Sequence, residues 1–244
     1  PEFQNVTHGN GYTTNPYELI RLHLALSGLP APGSGFTVAV MDDGFRTTHQ
    51  EFDGKAISSY GDISVRGWSD HGTYVAALIA GNADADGTMF GVAPNADLHL
   101  SSYTLSTAQK AAAVIDATGG IAFNNSWGLL RPNGDELTLS HVRQYLQTQN
   151  VSIAQAYATL TGQGSAADWQ AYFNALDGFQ QDGVIVWALS NDGEGNRLDA
   201  SAAMPVMVPA LRDAWIAVGN AEYTMDAGGA VTDVERMSIG CGLM

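Results

Sequence analysis

Short apolar runs alternate with helix-patterned segments along most of this chain, and no other feature limits its fold so strongly. "FTVAVM" (36–41), "ADLHLSSY" (96–103), "GGIAFNNS" (119–126), "GVIVWALS" (183–190) and "AWIAVGN" (214–220) read as strands. The first is apolar at nearly every position, as expected of a parallel strand buried on both faces. Residues 16–27, 71–80, 105–117, 135–148 and 165–182 carry apolar residues at three- and four-residue spacing, the mark of helices with one buried face. Strand–helix–strand repetition predicts a three-layer α/β fold, a mostly parallel central sheet with helices on both faces. The 244 residues, 45% hydrophobic, suffice for one large core, and no Pro/Ser-rich linker divides them.

Charge narrows the function. The net charge of −15, with only 10 Lys+Arg, argues against nucleic-acid binding and against an anionic membrane surface. It favours cationic ligands. No segment has the length and apolarity of a membrane span, and the first twenty residues lack a signal-peptide pattern. The single cysteine, Cys241, excludes a disulfide within these residues.

Residues able to do chemistry follow the candidate strands. Asp42, Ser126 and Asn191 fall where strands end, the edge at which open parallel sheets build their sites. In "VAVMDDGF", Asp42 is a carboxylate at the end of a buried strand, able to orient an imidazole. The same Asp-Asp-Gly also reads as a plain turn, or as a magnesium ligand pair in a metal-dependent phosphatase. In "HGTYVAALIAG", His71 heads a helix whose Val75, Leu78 and Ile79 form a buried face. The positive end of the helix dipole is expected there to keep the ring a neutral base. In "ALSNDGEGN", the Asn191 amide can donate to an oxyanion or simply form a turn. The extended "NNSWG" (124–128) can pair with a peptide backbone by strand addition.

Taken together, these segments resemble the subtilisin-like serine proteases. "VAVMDDGF" is similar to the family's Asp motif, "HGTYVAALIAG" to its His motif, and "GVAPNADL" (91–98) to the segment that follows it. "NNSWG" resembles the substrate-binding strand and "ALSNDGEGN" the oxyanion-hole segment, all in the family's order from about residue 36 to 219. The resemblance implies a serine endopeptidase acting on polypeptides, with Asp42 as catalytic acid, His71 as general base and Asn191 as oxyanion donor. Ser126, Trp127, Gly128, Ala188, Leu189 and Ser190 would line the substrate groove. No cofactor is required. "CG" at 241–242 resembles the bacterial autotransporter branch, which implies a secreted or cell-surface protein.

The departures also shape expectation. The family's Gly-Thr-Ser-x-Ala-x-Pro nucleophile segment, which opens a central helix, is absent; the last serine, Ser238 in "MSIGCGLM", has no helix pattern after it. The chain therefore reads as the incomplete, N-terminal part of one catalytic domain, inactive alone, with the nucleophile expected beyond Met244 in an adjoining or separate chain. A catalytically dead peptide-binding protein is the alternative. Residues 1–35 are an N-terminal extension. Residues 129–164 are an insertion, acting as a lid, an exosite or a surface decoration. In "NADADG" (82–87), Asn82, Asp84 and Asp86 mimic the first half of a calcium loop, but Ala93 stands where an EF-hand needs glutamate. A solvated acidic loop is the expectation there.

Overall fold

The computed structural model describes residues 6–7, 13–14, 22–65, 70–82, 90–190, 198–226 and 231–236. Ten strands and seven α-helices lie among them. Six strands make the central sheet: β3 (Thr37–Asp42), β4 (Ile57–Tyr60), β5 (Asp97–Ser102), β6 (Ala122–Asn125), β7 (Val184–Ala188) and β8 (Trp215–Val218). Their order is β4-β5-β3-β6-β7-β8, and every pairing is parallel. Two antiparallel hairpins lie outside it, β1 (Val6–Thr7) with β2 (Thr13–Thr14), and β9 (Ala221–Met225) with β10 (Val231–Arg236). The helices are α1 (Leu22–Leu26), α2 (His71–Ala80), α3 (Thr107–Asp116), α4 (Leu139–Thr148), α5 (Ile153–Thr161), α6 (Ala166–Phe179) and α7 (Met204–Met207). None of the described helices is long and apolar enough to cross a membrane.

Alternating side chains divide the sheet into two cores. Val38 and Val40 of β3, with Leu98 and Leu100 of β5, pack on Ala76, Ala77 and Ala80 of α2. Ala39 and Met41 face the other way, into a larger core with Phe123, Ile185 and Trp187, closed by α3, α5 and α6. Helix starts are set by side-chain caps. Ser106, Thr138 and Ser165 each accept the N–H three residues on, and the side chain of that residue reaches back to the cap.

The two faces are closed unequally. On the larger-core side Ile185 and Trp187 are sealed from water. On the α2 side, the registered row runs Val40, Asn124, Val186, Ile216 across four strands. Val40 is buried, yet Ile216 and Val218 are 50% and 48% exposed, and Ala122, Val184 and Val186 are half-buried. Among the described residues, α2 covers only the β3–β5 half of this face.

All five predicted strands and four of the five predicted helices form close to their expected limits; of 16–27, only Leu22–Leu26 is described as helix. Three differences have physical causes. Strand β4 went unread because it is an edge strand with exposed serines at 58 and 59. Helix α5 is absent from the predicted elements because it packs through Ala154, Ala156, Tyr157 and Ala158 rather than large aliphatics. Residues 129–164 contribute to the core: Leu129, Leu137, Val142 and Tyr157 are wholly or almost wholly buried in the larger core. Replacing Ile185 by alanine should therefore cost about 2–5 kcal/mol of stability in urea unfolding. A loss under about 0.5 kcal/mol would show that this face is not close-packed.

Candidate active site

The site begins with a close approach. A Cβ at Gly72 would lie 2.4 Å from the Gly44 carbonyl oxygen and 2.9 Å from the Asp42 Cβ. Only glycine lets the first turn of α2 press against the end of β3. Asp43 fixes the contact, its Oδ1 accepting the Gly72 N–H at 2.9 Å, so one orphan donor of the helix start is satisfied. Thr73 Oγ1 accepts the Arg46 N–H at 2.9 Å. The Arg46 guanidinium holds both Asp70 carboxylate oxygens, at 2.9 and 2.8 Å.

This brings His71 onto Asp42. Nδ1 stands 2.7 Å from Asp42 Oδ1, which also accepts the Asp43 N–H at 2.8 Å. Asp42 is fully buried, while half of the His71 side chain is open to solvent. Burial pushes the Asp42 carboxyl up, opposed by its bond to His71. The hydrogen bond to Asp42 raises the His71 pKa, against partial burial. The direction is opposite to the expectation from the helix dipole, because a carboxylate in hydrogen-bond contact favours the charged ring.

Ser126, Trp127 and Gly128 leave the end of β6, and Ala188, Leu189 and Ser190 the end of β7; all six line one cleft of about 870 Å³ with Asp42 and His71. Aromatic packing holds its floor. Trp127 stacks on Tyr103 at 5.7 Å and tilts against Trp187 at 4.9 Å. The Trp187 indole N–H donates to the Trp127 carbonyl at 2.8 Å, and Trp187 itself stacks on Trp215. Lys110 Nζ sits 4.8 Å from the Trp127 ring, and burial pushes its pKa down to about 8. Asn191, Asp84 and Asp86 lie outside the described residues, as do Ser238 and Cys241. Asn82 gives its backbone N–H to the Glu51 carbonyl and its amide to the Asp53 carbonyl.

Three further residues at the cleft carry no functional signal in the sequence. Tyr103 follows β5, and Glu136 and Asp199 form the wall next to Gly128. The last two arrive through isolated bridges, Leu130 with Glu136 and Thr138 with Asp199. A metal ion would find one group of three donors among the described residues, Asp42, Asp43 and His71. Asp42 Oδ1 and Asp43 Oδ1 are already engaged, with the imidazole and with Gly72.

The model of the subtilase family matches residues 33–234. The chain belongs to the subtilase family. It is similar to an alkaline proteinase of Hapsidospora chrysogena, 26% identical over 207 residues, which are 83% of this chain and 43% of that protein. It therefore spans less than half of that relative. Among solved structures it is similar to fervidolysin of Fervidobacterium pennivorans, with a TM-score of 0.53, 22% identity, and 89% of this chain and 28% of that one covered. It is also similar to the prenylagaramide maturation protease PagA, with a TM-score of 0.52, 21% identity, and coverage of 88% and 62%. These structures establish the fold of this subtilase.

The acidic partner sets the titration of the ring. In NMR titration of the protein the His71 imidazole should lose its proton with a midpoint above the ordinary 6.5. Asp42→Asn should lower that midpoint, because the opposing charge is gone while the hydrogen-bond acceptor stays. A midpoint unmoved by the substitution would show that Asp42 does not set the basicity of His71.

Proposed function

We infer that this subtilase chain is part of a serine endopeptidase that hydrolyses polypeptides through an Asp-His-Ser triad. The observation that carries the reading is the 2.7 Å contact between a buried carboxylate and a half-exposed imidazole at the head of the cleft. A serine outside residues 1–244 attacks the scissile carbonyl. His71 takes its proton and later returns it to the leaving amine, while Asp42 Oδ1 accepts the Nδ1–H and stabilises the imidazolium. The Asn191 amide donates to the tetrahedral oxyanion. Ser126–Gly128 and Ala188–Ser190 flank the substrate backbone. The chemistry calls for no cofactor.

Two features support a nucleophile supplied by further polypeptide. The half-exposed apolar face of β6, β7 and β8 lies beside α2, where another helix would bury Val186, Ile216 and Val218. The curated relative extends well beyond the matched region. Residues 1–244 alone are accordingly inactive in this reading. Secretion or display at a bacterial cell surface belongs to the same proposal.

Labelling of the full-length protein with a fluorophosphonate, together with casein hydrolysis, tests the assignment. His71→Ala should abolish labelling and lower kcat by about 10⁶-fold. Asn191→Ala should lower kcat by about 10²–10³-fold with little change in KM. Hydrolysis indifferent to His71→Ala, or casein cleavage by residues 1–244 alone, would overturn the reading.

A further inference from the structure

Beside the catalytic pair, the cleft contains a second polar feature that peptide hydrolysis does not use. Asp199 is only 2% exposed and still lines the cleft, together with Glu136. A Cβ on Gly128 would stand 2.7 Å from Asp199 Oδ2 and 3.9 Å from Glu136 Oε1. The two carboxyls thus sit directly against the segment that flanks the substrate backbone, at a residue without a side chain to screen them.

The pair is built into the core. Leu139 donates its N–H to the Leu198 carbonyl and Ala200 to that of Leu137, both within 2.9 Å. Asp199 Oδ1 accepts the Ser201 N–H, Ser201 Oγ accepts the Leu129 N–H at 2.9 Å, and the Tyr157 hydroxyl donates to the Ala200 carbonyl at 2.9 Å. Such a frame holds a buried carboxyl in place, yet none of the ion pairs between described residues reaches Asp199 or Glu136. Burial first, and Glu136 with it, push the Asp199 carboxyl up to about 7, against the Ser201 contacts. Among the described residues no cation pairs with these two carboxyls, and burial without one favours the neutral form of Asp199.

We propose that Gly128, Glu136 and Asp199 form the subsite for a lysine or arginine side chain of the polypeptide substrate. A guanidinium or ammonium head placed there sets a positive charge against both carboxyls, and a guanidinium can bridge them. Leu130 and Leu189, also in the cleft wall, lie along the aliphatic stem. An apolar side chain would bury the two carboxyls without a partner, and an acidic one would be repelled. The net charge of −15 draws cationic segments toward the cleft. This subsite rests on the endopeptidase reading.

The test uses full-length protein and three fluorogenic peptides that differ only in Arg, Leu or Glu at the residue preceding the scissile bond. The Arg peptide should exceed the Leu peptide in kcat/KM by at least about tenfold, the scale of one charge-assisted contact. Glu136→Gln should reduce that ratio about tenfold or more. Glu136→Lys, half-buried and so the milder site to alter, should turn the preference toward the Glu peptide. Asp199→Asn, checked for folding by its thermal melt, should reduce the Arg-to-Leu ratio further. Cleavage without an Arg preference, or a ratio unmoved by both Glu136 variants, overturns the subsite and leaves the endopeptidase reading standing. Cleavage of no peptide by protein that also resists fluorophosphonate labelling overturns both.

Discussion

The contact of Gly72 with the end of β3 is the constraint from which the rest of the site follows. The carboxylate there is buried, and water cannot solvate it. Its charge is tolerable only with partners, and the partners come from the neighbouring backbone and from His71. A side chain at position 72 would move the helix start away from β3. The imidazole would then lose its acceptor, and Asp42 would be left as an uncompensated buried acid. One missing Cβ thus decides both the geometry of the imidazole and its raised proton affinity.

The cleft floor depends on a different interaction, the aromatic column running from Tyr103 through Trp127 and Trp187 to Trp215. Trp187 belongs to the sealed face of the sheet, so its indole N–H is held rigidly when it meets the Trp127 carbonyl. Lys110 adds a cation against the same Trp127 ring. Its ammonium is nearly buried, which explains its weakened hold on the proton. The strand ends are held where the larger core closes one face of the sheet.

Legibility followed burial. Runs such as "FTVAVM" are visible because parallel strands are apolar on both faces, and "HGTYVAALIAG" because a helix that packs closely needs small residues. The Asp42–His71 pair was legible as two motifs, and the structure brings their side chains together. Strand β4 was not, since Ser58 and Ser59 face solvent at the sheet edge. Glu136 and Asp199 were invisible for another reason. Neither belongs to a periodic pattern, and their meeting depends on two antiparallel bridges between irregular segments. The direction of the His71 shift was misjudged because a helix end can be seen in sequence, whereas a 2.7 Å contact with a carboxylate cannot.

The two parts of the cleft meet through one strand. Asp42 ends β3, whose Val38 and Val40 pack in the smaller core, while its Ala39 and Met41 belong to the larger one. Leu137, next to Glu136, and Tyr157, which donates to the Ala200 carbonyl next to Asp199, belong to that larger core as well. Substitutions that reshape the acidic wall therefore reach β3 wherever they disturb the packing around Met41, and additivity holds best where no partners are shared. Residues 129–164 reach the cleft as part of the core, so the packing that holds the acidic wall also holds the strand that ends in Asp42.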